Sequence, residues 1–436
     1  MMWGLMTSTA PASVWRAARL ALGTAAALGL ARFAYGMLLP AMRDDLNWTL
    51  AAAGGMGTAN GLGYLLGALL TNGLVRRVGA ATAFRTGMVL TAASLVATAV
   101  SGDYLVLLVL RTLSGAAGAV VFVAGSVIAS RLAADAASAT PLTVYFAGAG
   151  LGIVVSGLAV PLLGVHWRLA WVALGTAAAV ATGVSWTAVN SDGARQPEVG
   201  RARLRPLLPA ALAYLLFAAG YITYITFLSA YLVERHSSVS QVMLTWTVLG
   251  TAVAAAPAVW TRPIARWPGT RALAILLAVL SGGAALALTS SATPVVLASA
   301  LIYGGTFMGV PAAITALIRA HTPTADWTAT LAVFTAVFAA GQTAGPWLAG
   351  LVADHSSTAA TLGWTAVLCA AAALSALLGR LTTLDTVLST NRRSKPDVKL
   401  PTGPRDVPRW LVLRARHPAA ARPGTHRPPA DVDRRE

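Results

Sequence analysis

The stretch GLARFAYGMLLP, residues 29–40, puts an arginine, Arg32, inside the first long apolar run of the chain. A run of about 20 apolar residues is long enough for a helix to cross the hydrocarbon core of a bilayer. An ionised guanidinium at that depth costs roughly 3 to 15 kcal/mol, so a charge there is expected to have a partner or a function. This stretch therefore predicts a transmembrane helix that carries a buried cation.

The composition is that of a membrane protein. Of its 436 residues 56% are hydrophobic and 11% charged, and the mean hydropathy is +0.68. A soluble domain has roughly a quarter charged residues. The single cysteine, Cys369, excludes a disulfide framework, and the histidines have no metal-ligand spacing. Lysine occurs only at Lys395 and Lys399, which excludes a Walker-type phosphate loop before the tail. We expect no metal site and no cofactor.

The apolar residues fall into twelve segments, each long enough to span a bilayer as a helix. They cover residues 17–41, 49–73, 82–101, 104–130, 141–163, 168–189, 206–233, 240–260, 270–291, 294–318, 328–352 and 359–381. None alternates apolar and polar residues as barrel strands do. The predicted fold class is an all-α polytopic membrane protein with twelve transmembrane helices.

The arginines between the segments predict the orientation. With the N-terminus in the cytoplasm, fourteen arginines lie in inside connections, and only Arg43, Arg168 and Arg235 lie outside. The positive-inside rule then places both termini in the cytoplasm, with the protein in the cytoplasmic membrane. The net charge of +17 reflects this bias and a basic tail, and it is no evidence of nucleic-acid binding.

The polar break at residues 190–205 divides the segments six and six. We predict an N-terminal bundle (1–190), a cytoplasmic linker (191–205), a C-terminal bundle (206–381) and a disordered, basic, proline-rich cytoplasmic tail (382–436). The halves also share a repeat: Gly148, Gly152, Gly157 and Trp171 recur 193 residues later as Gly341, Gly345, Gly350 and Trp364. This predicts pseudo-symmetric bundles, helix packing at the glycines, and a substrate site between the halves near mid-membrane.

Several motifs are similar to those of the major facilitator superfamily. They are Arg76-Arg77-Val78-Gly79 between segments 2 and 3, RTLSGAAG at 111–118, the segment-5 glycines and WRLAW at 167–171. The resemblance covers residues 17–381, and ARFAYGMLLPAMRDDLNW (31–48) with TANGLGYLLGALL (58–70) resembles its YbfB/YjiJ-like branch. It implies the major facilitator fold, transport by alternating access, a gating role for the loop residues Arg76, Arg77 and Gly79, and a part in proton coupling for Arg111. The chain has Arg76 where the family motif usually has an aspartate, so the ion-pair latch of relatives is not expected.

Arg32 and Arg111 are the candidates for a substrate site. Both lie inside helices at similar depth, roughly 13 and 10 Å from the outer ends, and none of the twelve spans contains an Asp or Glu to neutralise them. Either both bind backbone carbonyls or loop carboxylates, or they bind an anionic substrate. Other candidate cavity residues, each of which also suits helix packing, are Tyr35, Asn60, Tyr64, Tyr145, Tyr221, Tyr224, Trp246, Tyr303 and Gln342.

The predicted function is secondary active transport of a small organic solute, with an organic anion engaging Arg32 and Arg111. Proton-coupled efflux of a hydrophobic or drug-like compound is the alternative, and a non-transporting receptor or scaffold is a second. An enzyme is not expected, because the spans lack Asp, Glu and His. The expected partners are a small-molecule substrate and the lipid bilayer. A proton or counter-ion is a possible further partner. No nucleic acid is expected to bind, and we expect the protein to be a monomer.

Overall fold

The computed structural model describes residues 9–189, 201–202, 204–267 and 270–393. Most of the predicted linker and the tail after residue 393 therefore lie outside the described residues. Within the described part, the regular structure is helical, without a strand. The described helices belong, as far as Thr383, to one compact unit.

Thirteen α-helices form in the described residues. They are α1 Thr9–Thr24, α2 Tyr35–Leu46, α3 Leu50–Thr98, α4 Tyr104–Asp135, α5 Thr140–Leu163, α6 Trp167–Ser185, α7 Leu208–Glu234, α8 Val239–Arg266, α9 Arg271–Thr289, α10 Thr293–Phe307, α11 Gly309–His321, α12 Trp327–Asp354 and α13 Ala359–Arg393. A π-helix, Ala25–Phe33, connects α1 with α2. Short 3₁₀ turns cover Trp186–Ala188, Arg205–Leu207 and Thr324–Asp326.

Eleven helical spans of the described residues are long and apolar enough to cross a membrane. One of them, α3, has 49 residues, about 73 Å of helix, which is more than twice the thickness of a hydrocarbon core. Its conformation is non-helical at Gly79, where φ is 83° and ψ is 157°. Residues other than glycine rarely adopt such a positive φ. Predicted segments 2 and 3 are thus the two arms of α3, and the predicted fold class is confirmed.

Short polar side chains begin three of the spans. Thr49 accepts a hydrogen bond from the amide of Ala52 (3.1 Å) at the start of α3. Asp103 does the same for Val106 (2.9 Å) in α4, and Ser238 caps α8. These caps satisfy backbone donors that the first turn of a helix leaves unpaired. The apolar run and the cap together explain where each of these helices begins.

The glycine repeat has the same contacts in both halves. Gly148 of α5 lies against the carbonyl of Ala21 in α1, and Gly341 of α12 lies against that of Leu215 in α7. One turn further, Gly152 meets Ala25 and Gly345 meets Ala219. A side chain at these positions would overlap the neighbouring backbone, so glycine permits the close approach. These contacts support the pseudo-symmetry of the two halves.

The third glycine of each series lies between the halves. Gly157 of α5 lies against Trp246 of α8, and Gly350 of α12 lies against Leu50 of α3. Near Gly350, both carboxylate oxygens of Asp354 accept hydrogen bonds from α3, from the amides of Leu50 (2.6 Å) and Ala51 (3.0 Å). We call this side of the molecule the Asp354 end and the opposite side the Gly79 end.

Contacts between the halves continue from the Asp354 end to the middle of the spans. The hydroxyl of Thr58 in α3 donates to the carbonyl of Thr343 in α12 at 2.6 Å. Gly150 of α5 lies against the carbonyl of Gly250 in α8, and Gly36 of α2 against that of Ile225 in α7. Three helix pairs thus hold the halves together over the Asp354 side of the molecule.

Candidate functional site

Arg32 lies in the π-helix of the first span. The amide of Ala34 bonds to the carbonyl of Gly29 at 3.0 Å, five residues back, so the backbone winds more widely than an α-helix. Gly29 also lies against the backbone of Gly152, and Gly36 against Ile225 of the second half. π-Helical turns are rare in proteins as a whole, and those that occur are often found at functional sites. The wide turn and its glycines place Arg32 at the boundary between the halves.

Arg32 is hydrogen-bonded to the second half. It is 8% exposed, and its Nη2 donates to Oε1 of Gln342 in α12 at 2.6 Å. The hydroxyl of Tyr221 in α7 donates to the same oxygen at 3.3 Å. The guanidinium carbon lies 5.1 Å from the centre of the Tyr64 ring in α3. Four candidate residues from four separate helical spans therefore meet at one point.

Two hydrogen-bond donors of this group have no protein partner. They are Nε of Arg32 and Nε2 of Gln342, and both are buried. Arginine offers donors only, so the amide oxygen of Gln342 faces it and the amide nitrogen faces away. Nε of Arg32 is two covalent bonds from Nη2, and Nε2 of Gln342 is two covalent bonds from Oε1. Because Nη2 and Oε1 are 2.6 Å apart, the two free nitrogens are at most about 7 Å apart. Two oxygens of one carboxylate can bridge that span, with a hydrogen bond at each.

Arg111 has different surroundings. It is 1% exposed, and its Nη1 donates to the carbonyl of Ala31, in the π-helix, at 2.6 Å. The guanidinium lies 4.9 Å from the centre of the Tyr35 ring and 5.4 Å from that of Trp171. Cation–π contacts of this kind stabilise a buried guanidinium. These contacts favour the structural interpretation of Arg111, as a support for the turn that carries Arg32.

Other predicted site residues bond to nearby protein groups. The hydroxyl of Tyr35 donates to the carbonyl of Ala53 (2.6 Å), and the amide of Asn60 donates to the carbonyl of Arg111 (3.2 Å). Tyr145 donates to the carbonyl of Phe122 (3.0 Å). The indole of Trp246 donates to Ser229 (2.9 Å). Their polar groups stabilise the packing of helices around the Arg32 group.

Tyr224 and Tyr303 form a stacked pair in the second half. Their ring centres are 3.8 Å apart, and the hydroxyl of Tyr224 lies 2.8 Å from that of Ser299. The hydroxyl of Tyr303 donates to the carbonyl of Tyr221 at 2.7 Å. This pair therefore holds the turn of α7 from which Tyr221 reaches Gln342.

A stack of aromatic rings beside Tyr221 is not among the residues predicted from the sequence. Phe217 and Phe338 lie 4.9 and 5.5 Å from the Tyr221 ring, with interplanar angles of 20° and 26°. Phe338 also stacks on Tyr214, at 5.0 Å and 27°. Residues 214, 217 and 221 share one helical face, as do Phe338 and Gln342. This helical spacing of aromatic residues is the sequence pattern from which the stack could have been predicted.

The loop residues lie away from this group. Arg76 and Arg77 are exposed near Gly79, at the end of the first arm of α3. Their gating role stays a prediction.

A cavity of about 420 Å³ lies between the halves at the Asp354 end. It is lined by Pro40, Arg43, Asp44, Leu50, Ala230, Val233, Glu234, Ala353, Asp354, Ser356, Ser357 and Thr358. The carboxylate of Glu234 accepts a short hydrogen bond from Thr358. The charged side chains of this cavity belong to the ends of spans, whereas Arg32 lies deeper.

Residues 24–380 match the family described as "Uncharacterised MFS-type transporter YbfB". No curated protein matches the chain in sequence. The nucleoside transporter NupG is similar in structure, with a TM-score of 0.68 at 12% identity over 85% of this chain and 98% of that one. A D-xylose–proton symporter is similar with a TM-score of 0.66 at 13% identity, over 83% and 96%. A bacterial homologue of the human lysosomal transporter Spinster gives 0.63 at 13% identity, over 85% and 95%. At these identities the likeness concerns the fold.

Proposed function

The chain belongs to the YbfB family of major facilitator transporters, and on this premise we propose that it carries a small organic anion across the cytoplasmic membrane. Transport occurs by alternating access, with both termini in the cytoplasm. The observation that carries the proposal is the pair of buried, unpartnered donors, Nε of Arg32 and Nε2 of Gln342. A buried donor without an acceptor costs about 1 to 3 kcal/mol, and an arriving carboxylate removes that cost at both atoms.

The proposed site carries one positive charge. The Nε of Arg111 is also buried and without a partner, but its Nη1 bonds to the carbonyl of Ala31 and its guanidinium lies against two aromatic rings. We therefore assign Arg111 to support of the turn and not to substrate contact. Arg32 keeps Nε free and has a neutral partner in Gln342, which a carboxylate can outcompete or join. The substrate is therefore a monoanion or a molecule with one acidic group near the site.

The site joins the two halves, which connects binding with alternating access. Arg32 belongs to the first half, and Gln342 and Tyr221 belong to the second. A substrate bound to both halves favours the conformation in which they approach each other around it, because only there are both sets of bonds made. In the proposed orientation, the closed Asp354 end faces outward and the Gly79 end faces the cytoplasm.

The alternative is proton-coupled efflux of a hydrophobic compound, which the stacked rings of Tyr214, Phe217, Tyr221 and Phe338 favour. The likeness to a D-xylose–proton symporter adds a proton as a candidate coupling ion. In that case Arg32 is structural, and neutral aromatic compounds should bind as well as anionic ones.

Thermal stabilisation of the purified protein tests the proposal. The wild type is heated with equal concentrations of small carboxylates, matched neutral alcohols and amines. We expect carboxylates alone to raise the melting temperature of the wild type. Arg32→Gln should abolish the rise, and Arg32→Lys should retain part of it, since lysine keeps the charge but loses the two-pronged geometry. Arg168→Gln, an exposed arginine outside the site, is the matched control. Equal stabilisation of Arg32→Gln and wild type by carboxylates would refute the proposal.

A further inference from the structure

Aromatic rings lie on both sides of the Arg32 group. On the first half Tyr64 lies under the guanidinium, 5.1 Å from ring centre to Cζ, and is followed by Phe122 (6.4 Å) and Phe146 (5.6 Å further). We call these three rings the first wall. The second wall is the stack of Tyr214, Phe217, Tyr221 and Phe338 on α7 and α12.

The two walls meet at the Arg32 group, because Tyr64 lies beside the Arg32 guanidinium and Tyr221 bonds to its partner Gln342. Tyr64 and Phe338 are both partly exposed, although Arg32 and Tyr221 beside them are buried. Tyr64 and Phe338 therefore each keep part of their ring surface uncovered close to the donor pair.

The rings are oriented for stacking. Within the second wall, the interplanar angles of Phe217 and Phe338 with Tyr221 are 20° and 26°, and that of Phe338 with Tyr214 is 27°. Because Phe338 of this nearly parallel set is partly exposed, it leaves ring surface on which one more ring can stack. A saturated chain that binds there gains only buried contact area, whereas an aromatic ring also gains a favourable ring–ring stacking interaction.

The distance from the donors to this face is set by α12. Phe338 and Gln342 lie four residues apart on one face of the helix, which is about 6 Å along its axis. Phe338 lies on the Gly79 side of Gln342. A ligand that reaches both therefore has its acidic group and its ring about one helical turn apart.

We infer that the substrate is an aryl-substituted short-chain monocarboxylate. Its carboxylate bonds to Arg32 and Gln342, and its ring stacks between Tyr64 and Phe338. The inference rests on the proposed anion site and adds to it the chemical class of the substrate. Phe338 is the residue that selects for the ring, and Arg32 the residue that selects for the charge.

Calorimetric titration of the purified protein tests this with three probes. 3-Phenylpropionate has the predicted ring and spacing, 3-cyclohexylpropionate keeps the charge and length without aromaticity, and 3-phenylpropanol keeps the ring without the charge. We expect the wild type to bind 3-phenylpropionate about three- to tenfold more tightly than the cyclohexyl acid. The alcohol should bind more than tenfold more weakly than the aryl acid.

Two variants separate the ring from the charge. Phe338→Leu should bring both acids to the same affinity, and Arg32→Gln should abolish the binding of both. Trp347→Leu, which removes an exposed ring on the same helix outside the walls, should leave the preference unchanged. Equal binding of both acids by the wild type, or an aryl preference that persists in Phe338→Leu, would overturn the inference and leave the anion site standing. Absence of binding of either acid would overturn the inference. Binding of both acids by Arg32→Gln as by the wild type would overturn the anion site as well.

Discussion

Removal of the Asp354 charge should open the closed end of the transporter. In the structure this carboxylate accepts hydrogen bonds from the amides of Leu50 (2.6 Å) and Ala51 (3.0 Å), at the N-terminus of a helix of the other half. Substitution of an N-terminal cap costs about 0.5 to 2 kcal/mol, and loss of an anion near the helix dipole about 0.3 to 1 kcal/mol. Asp354 is exposed, so solvent screens part of its charge. Asp354→Asn keeps one acceptor oxygen, and we expect a net loss of about 1 kcal/mol, or roughly fivefold in the ratio of open to closed molecules.

The assay is the rate at which a buried thiol reacts. Thr226 of α7 is 4% exposed and lies beside Gly57 of α3, below the closure, so Thr226→Cys becomes accessible to a water-soluble thiol reagent only when the Asp354 end opens. The only native cysteine, Cys369, is buried. Asp354→Asn should raise the labelling rate about fivefold, in proportion to the open population.

Asp45→Asn is the matched control. Asp45 also lies at this end and accepts hydrogen bonds from Trp167 (2.9 Å) and Arg168 (3.4 Å), but all three belong to the first half. Its substitution should leave the labelling rate unchanged. An unchanged rate in Asp354→Asn, or an equal rise in both variants, would refute the assignment of Asp354 as the bond that closes this end.

Three further predictions concern structure and orientation. Arg111→Gln should lower the melting temperature of the purified protein, because it removes the bond to Ala31 and two ring contacts; a melting temperature equal to that of the wild type would contradict the structural role. Gly79→Ala should destabilise the protein by about 1 kcal/mol, measured by thermal unfolding, since φ is +83° there; no loss would mean that the turn relaxes freely. In intact cells an impermeant thiol reagent should label a cysteine at exposed Val165 and not one at exposed Val78, and the reverse pattern would invert the orientation.

The helical spans followed from the sequence because a bilayer requires long apolar runs with internally bonded backbones. Residues 49–73 and 82–101 were predicted as two segments, and Gly79 at the bend between them marks the division of α3. The glycine repeat also carried structural information, since Gly148 and Gly341 make equivalent helix contacts in the two halves. Signals of this kind are local or repeated, and a single sequence contains them.

The site was only partly predictable. Arg32 and Arg111 have the same sequence signature, a cation among small residues at similar depth. Their partners differ because tertiary contacts decide them: Arg111 meets a carbonyl of the neighbouring helix, whereas Arg32 meets Gln342, 310 residues away. The sequence contains no signal for the π-helix at Ala25–Phe33 apart from its glycine. The wide turn accompanies close packing of that glycine against the neighbouring span, and such packing is a tertiary contact.

Uptake into proteoliposomes tests the central claim most directly. The carboxylate that most stabilises the purified wild type is radiolabelled, and its uptake is compared between wild type, Arg32→Gln and the control Arg168→Gln at equal protein content. The anion site predicts saturable uptake by the wild type and the control, and its loss in Arg32→Gln. Uptake by Arg32→Gln at the wild-type rate would contradict the claim and leave Arg32 with a structural role.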